Sequence, residues 1–214
     1  MGFIGLIEPA KSVSAQTAPE FITSWRALNY VPADYQGKSF PINSTYVEAS
    51  FDLLDNNKIV NLSKNQITWT LNNTDIKSGL GAKSAKFLNA GVDQAVRVSV
   101  DYKDSLFETI ISVPTTRPEM VIDSGVTGRY LSLKDYTFAA LPYFFNISNL
   151  GELSFNWTNN GKNISGSTEN PGLLKLSFKS EGIPQQTNIN ISASVSNLGN
   201  MLETAGKTLN LILK

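Results

Sequence analysis

Neither cysteine nor histidine occurs anywhere in the sequence. Their absence removes disulfides, thiol nucleophiles, the imidazole general base and the usual zinc ligands together. Charge of one sign is missing too: 18 basic residues balance 18 acidic ones. No excess positive field exists to hold phosphate backbones or anionic lipid, which argues against nucleic-acid or charge-driven membrane binding. Charged residues make up 17% of the chain, below the roughly 25% of an average globular protein, and Asn, Ser and Thr supply much of the polarity instead. No segment approaches the roughly 18 apolar residues that span a bilayer, so no membrane span is expected in this chain.

What is present suits a folded protein, with 41% hydrophobic residues over 214 positions. That length accommodates one large domain or two of about 100 residues. The opening "MGFIGLIEPAKSVSA" has an apolar run from Gly2 to Ile7 and a small-residue end at Val13-Ser14-Ala15. This fits the tail of a secretory leader with an A-x-A-like cleavage site. Residues 1–17 are therefore read as a signal-peptide remnant or a disordered N-terminus, and the mature chain as extracytoplasmic, secreted or at the cell surface.

Apolar residues recur at every second position, the period of a strand with one buried face. Val47, Ala49, Phe51 and Leu53 alternate with Glu48, Ser50 and Asp52; Ile67, Trp69 and Leu71 alternate with Thr68 and Thr70. Val96, Val98, Val100 and Tyr102 repeat the pattern. The same order returns later: Leu153, Phe155 and Trp157, then Ile189, Ile191, Ala193 and Val195. Trp69 and Trp157, 88 residues apart, each precede an Asn-rich turn. The sequence thus reads as one unit used twice, each copy with some seven short strands. The expected fold is all-β: two tandem immunoglobulin-like antiparallel β-sandwiches, with each tryptophan in a core. The boundary falls in "VPTTRPEMVID", where Pro114 and Pro118 cannot donate to a strand ladder. That gives domains at 18–115 and 116–214, joined by a short, semi-rigid linker.

The stretch from Trp157 to Gly161, with its looser copy from Trp69, resembles the central strand and turn of PKD-type and other bacterial immunoglobulin-like domains. The segment "WRALNYVPADYQGKSFP", followed by a tandem pair, is similar to secreted proteins of small-genome candidate-phylum bacteria. The resemblance implies an extracytoplasmic interaction or spacer module. It carries over no catalytic residue.

Candidate sites are few. Aromatics in loops are the candidate binding residues: Tyr30 and Tyr35 around "VPADYQGKSFP", and Tyr143 and Phe144 in "PYFFN". Rings beside Asn and Gln suit a sugar surface, and an interdomain contact would use the same residues. Trp25 is read as core or domain-edge packing. Glu119 and Asp123, with Asp101 and Asp104 nearby, were they to converge, would offer Ca²⁺ oxygen ligands, although no EF-hand pattern is present. Paired carboxylates across a cleft and a Ser–Lys frame around Lys11, Lys38, Lys64 or Lys83 are not discernible. A Lys–Asn crosslink assisted by a buried acid would replace the missing disulfides, but no pair stands out. Asn-x-Ser/Thr triplets begin at Asn43, Asn61, Asn72, Asn146, Asn156, Asn163 and Asn190; they are glycan acceptors only in a pathway that attaches them.

The expected function is a non-enzymatic surface or secreted module, without catalytic residue, metal or cofactor, serving as spacer or protein-interaction pair. Two alternatives stand beside it: a carbohydrate-binding protein using Tyr30, Tyr35, Tyr143 or Phe144, and a filament or surface-layer subunit assembled through strand edges. The partner would be a protein or a cell-surface glycan.

Overall fold

The computed structural model describes residues 18–178 and 186–214; the leader-like segment 1–17 lies outside them. Its elements are almost all strands. The first half forms β1 (Glu20–Ala27), β2 (Tyr46–Asp55), β3 (Lys58–Ile59), β4 (Gln66–Leu71), β5 (Thr74–Leu80), β6 (Ser84–Leu88), β7 (Gln94–Tyr102) and β8 (Ser105–Val113). The second forms β9 (Glu119–Asp123), β10 (Tyr130–Leu131), β11 (Asp135–Tyr143), β12 (Leu153–Asn159), β13 (Lys162–Ile164), β14 (Leu173–Ser177), β15 (Thr187–Asn197) and β16 (Asn200–Leu213). A 3₁₀ turn at Leu150–Glu152 precedes β12, capped by the Asn149 side chain.

In the first half β2 pairs β1 on one edge and both β6 and β3 on the other, while the facing sheet runs β5-β4-β7-β8. In the second half β14-β11-β9 faces β10-β16-β15-β12-β13. These are two immunoglobulin-like sandwiches of the same strand order. Each closes on its own interior. One cluster of buried residues runs from Val47 to Val113, the other from Met120 to Leu213. Trp69 is 0% exposed and Trp157 1%, and each indole N–H is satisfied by a carbonyl, Ala82 O at 2.6 Å and Pro171 O at 3.0 Å.

The Asn-rich turns after the tryptophans have a direct cause. Asn72 and Asn73 have φ of 51° and 62°, Asn160 and Gly161 49° and 77°. Both are two-residue hairpins whose central residues sit in the left-handed region, where Asn and Gly are tolerated best. Lys103 and Asp104 make an equivalent turn between β7 and β8 without either residue.

Three features depart from the sequence expectation. The last strand, β16, begins at Asn200; Glu203 and Lys207 occupy inward positions of its alternation in place of apolar residues, and its ladder to β15 shifts register at Ser196 and Asn197, which leaves Glu203 without a ladder partner. β10 pairs with β16 in parallel, an exception to all-antiparallel sheets that two residues cannot announce in sequence. Strand β11 stops at Tyr143, inside the aromatic run "PYFFN", because Phe144 has φ of 65°. That turn sends Phe144 and Phe145 out of the strand's alternation.

Asp55, at the end of β2, accepts from Lys103 Nζ at 2.5 Å and from the Tyr102 hydroxyl at 2.9 Å. The Lys103 hydrogen bond, then that of Tyr102, holds the Asp55 carboxyl below its ordinary pKa, and Asp55 in turn raises that of Lys103. The depressed carboxyl stabilises the fold fully above about pH 4. That contribution is lost as pH falls through the folded-state value. Asp55→Asn should therefore melt below the wild type at neutral pH, with the gap closing in acid. A gap constant down to pH 2 would contradict the pairing.

Candidate functional site

The loop aromatics converge at the joint between the sandwiches. The β1–β2 connection, residues 28–45, is long enough to leave the first sandwich and lie against the second. Tyr30 N–H donates to Phe145 O, and Phe144 N–H returns a bond to Tyr30 O, both at 2.8 Å. The connection is braced internally: Asn29 Nδ2 donates to Phe40 O at 2.9 Å, Ser39 donates to the Asn29 side chain, and the Tyr35 hydroxyl donates to Lys38 O at 3.1 Å.

Along this brace the rings form a chain of tilted and edge-on contacts. Trp25 meets Phe40 at 5.9 Å, Phe40 meets Phe144 at 6.2 Å, and Phe144 meets Tyr35 at 6.1 Å. Tyr35 also meets Tyr143 at 5.4 Å. Phe144 is buried, whereas Tyr30, Tyr35 and Tyr143 are half-buried. Of the four candidate binding rings, Phe144 thus has no face free for a ligand, because its φ of 65° turns the ring into the joint. Burial, then the nearby Asp34 carboxylate, raises the pKa of Tyr30 and of Tyr143. Trp25, half-buried against the first core, carries Lys38 Nζ 3.5 Å above its ring, and burial lowers the pKa of that lysine.

Gly37 makes the ring chain possible. A Cβ there would overlap the Tyr35 ring, which would have to leave its contacts with Tyr143 and Phe144. Aromatic pairs of this geometry contribute about 0.5–1.5 kcal/mol beyond burial. Gly37→Ala should cost about 1 kcal/mol in denaturant unfolding, and an unchanged midpoint would show that Tyr35 is not held there.

Beside the rings lies a polar cluster centred on Glu203, which is 5% exposed. Its carboxylate accepts from Asn146 N–H at 3.0 Å, Asn146 Nδ2 at 2.9 Å, Asn197 Nδ2 at 2.9 Å and Asn200 Nδ2 at 3.0 Å. Asn146 completes the link to the first sandwich. Its Nδ2 also donates to Asn43 O at 2.9 Å, and its Oδ1 accepts from the fully buried Thr45 hydroxyl at 2.6 Å. Thr116 N–H, in the linker, donates to Pro41 O at 2.9 Å. A cleft of about 390 Å³ runs alongside, lined by Ile42, Asn43, Gly91, Arg117, Leu202 and Glu203 among others.

This cluster was not anticipated. Glu203 is the buried acid a Lys–Asn crosslink would need, yet its hydrogen-bond partners are all Asn residues rather than Lys. Asn146, the start of one glycan-acceptor triplet, has its side-chain amide committed to Asn43 and Glu203. The four acids considered for Ca²⁺ do not converge. Glu119 and Asp123 stand at opposite ends of β9, Glu119 opposite Tyr143 at the joint, whereas Asp101 and Asp104 sit at the closed end of the β7–β8 hairpin, roughly 25 Å of strand from the joint. Among the described residues no group of three or more Asp or Glu could hold a metal ion.

No protein-family model matches the sequence, and no curated protein does. Among solved structures, the chain is similar to the fibronectin(III)-like modules of Clostridium thermocellum CbhA. Identity there is 14% over 86% of this chain and 93% of that one, with a TM-score of 0.31. It is also similar to the three N-terminal domains of the bacteriophage RB49 highly immunogenic outer capsid protein, at 10% identity over 92% and 59%, TM-score 0.44. A chimeric titin Z1Z2 aligns at 9% identity over 94% and 99%, TM-score 0.36. Likeness at this level carries nothing about binding, and the fold assignment stands on the chain's own sheets and cores.

Proposed function

We propose that the chain is a non-enzymatic extracytoplasmic module in which two sandwiches, fixed at one joint, act as a spacer that presents its sheet faces and loop tips to other molecules. The observation that carries this reading is the Thr45–Asn146–Glu203 link. It is a hydrogen-bond path from one sandwich to the other, with Thr45 and Glu203 buried at its ends and Asn146 half-buried between them, and such networks specify a single arrangement. The ring chain from Trp25 to Tyr143 supports the same conclusion from the other side of the joint. A spacer needs its domains to keep their angle; an inter-domain contact without such a link allows motion.

Small-angle scattering tests the spacer role. The wild type should give one well-defined maximum dimension, and Asn146→Ala combined with Glu203→Ala a broader distance distribution. Equally broad profiles for both would refute it. Binding assays against envelope fractions, host surfaces and the chain itself test the contact role; silence in all three would leave the spacer alone. The extracytoplasmic location is tested by protease accessibility on intact cells, where full protection would contradict it. A glycan platform on Tyr30, Tyr35 and Tyr143 ranks second, since Tyr35 and Tyr143 pack on each other. It predicts glycan binding lost on Tyr→Ala.

A further inference from the structure

The β15–β16 hairpin carries the most exposed large apolar residues of the described chain. Asn197 lies opposite Asn200 and Ser196 opposite Thr204, so Met201, Leu202 and Glu203 form a bulge with no partner on β15. The bulge turns Glu203 inward to the joint and throws Met201 and Leu202 outward, 81% and 89% exposed. The inward turn of Glu203 accounts for the bulge, but not for two large apolar side chains in water. Their backbone is braced. Asn200 Oδ1 accepts from Leu202 N–H at 3.2 Å, Asn197 Oδ1 accepts from Gly199 N–H at 2.9 Å, and Leu198 N–H donates to Glu152 O at 2.9 Å. Leu198, at the tip, is exposed as well. The β7–β8 hairpin of the first copy lacks such a bulge, since its strands stay in register up to Tyr102 and Ser105.

Leu202 lines the cleft at the joint, together with Ile42 and Gly91 of the first sandwich and Arg117 of the linker. Val92, next to Gly91, is exposed, and its loop is fixed by Thr115, whose hydroxyl donates to Val92 O and whose N–H donates to Asp93 Oδ1, both at 2.7 Å. Arg117 and Asp93 are themselves exposed, and neither makes an ion pair with a described residue. The patch thus brings apolar side chains, a cation and an anion together on backbone that is already ordered.

We propose that this patch is the twofold interface of a dimer: Met201 and Leu202 of one copy pack beside Val92 of the second, and Arg117 of each pairs with Asp93 of the other. The inference rests on the fixed joint, because the cleft takes its lining from both sandwiches. In a twofold interface every contact occurs twice with the roles exchanged, so one patch must hold both members of each pair. This patch does. A surface of one sign would repel its own copy, whereas Arg117 and Asp93 balance here, as do the 18 basic and 18 acidic residues of the whole chain. Grouped exposed apolar residues mark interaction sites, and Met and Arg are among the types enriched at protein interfaces. An anionic lipid surface would be repelled by Asp93. With few anchors the dimer is weak and transient.

Sedimentation velocity of the wild-type chain from about 1 µM to about 1 mM, the range in which weak interfaces dissociate, should show the mass rising towards twice that of the monomer. Arg117→Asp sets acid against acid across the interface, and Asp93→Arg sets cation against cation. Each variant alone should stay monomeric where the wild type is half dimeric. Mixed in equal amounts they should recover the dimer, because exchanging roles restores both pairs. Met201→Ser with Leu202→Ser leaves every charge in place and should raise the dissociation constant about tenfold or more; it decides the matter if a charge variant fails to fold. Ile110→Glu, on the far sheet face of the first sandwich, should change nothing. Hydrogen exchange at Thr116 and Tyr30 separates this inference from the joint it rests on. A wild type monomeric throughout with those amides protected overturns the dimer alone, and one with them unprotected overturns both. A dimer that survives the two Ser substitutions overturns the proposal, as does failure of two folded charge variants to associate when mixed. So does a monomer that uses Met201 and Leu202 to bind phosphatidylcholine–phosphatidylserine vesicles or a different protein.

Discussion

Trp157→Ala is expected to destabilise the second sandwich by about 3–5 kcal/mol, the usual cost of truncating a buried aromatic, and to leave the first sandwich folded. The ring sits on the central strand β12, which pairs with β15 on one side and β13 on the other. Its loss opens a cavity that these neighbours cannot close, and it strands the Pro171 carbonyl that now accepts the indole N–H. The packing there is tight, since a Cβ at Gly166 would already come within 3.3 Å of the Trp157 ring. Because the two cores share no buried residue, the damage should stay on one side of the linker. Calorimetry of the variant should resolve an early transition for the second sandwich and a later one for the first. The remaining fluorescence, from Trp25 and Trp69, should follow only the later one. A single transition that moves down as a whole would mean one shared interior.

Glu203→Ala is expected to cost about 3 kcal/mol and to loosen the joint, because it leaves four N–H groups without their acceptor at about 1–3 kcal/mol for each that stays buried. Asn197 is buried and bears the full penalty, whereas Asn146 and Asn200 are half-buried and recover part of it from water. Glu203→Gln is the sharper control. It keeps one acceptor oxygen but points an amide NH₂ at a ring of amide donors, so it should fall between the wild type and the Ala variant. Asn146→Ala should act differently: it cuts the bonds to Asn43 and Thr45 and so separates the sandwiches more than it destabilises either. Denaturant melts should show a lower midpoint for Glu203→Ala. Hydrogen exchange should show faster exchange at Thr116 and Tyr30, whose amides bond across or beside the joint. Unchanged exchange at both would mean that Glu203 serves only its own hairpin.

The strands were readable wherever one face is dry and the other wet. β2, β4, β7, β12 and β15 carry that pattern without interruption, and the turns after Trp69 and Trp157 declare themselves through Asn and Gly in the left-handed region. The start of β16 was hidden because its inward positions hold Glu203 and half-buried Ala205 in place of large apolar residues. The joint was only half visible. Tyr30, Tyr35, Tyr143 and Phe144 drew notice as loop aromatics, but nothing local says whether such a ring meets solvent or another domain. Asn146 stood out only as the start of an Asn-x-Ser triplet, and Glu203 not at all. An Asn in a Ser/Thr/Asn-rich chain is unremarked, and its partners lie 101 residues back and 57 ahead. A period of two carries no information over that distance.

The most direct measurement is of residual dipolar couplings from both sandwiches of the wild-type chain in one weakly aligning medium. A single alignment tensor, in magnitude and orientation, is expected to fit the amides of β2, β4 and β7 together with those of β11, β12 and β15. Two tensors of different magnitude would mean that the halves turn independently about residues 114–118, and would contradict a joint locked by Thr45, Asn146 and Glu203.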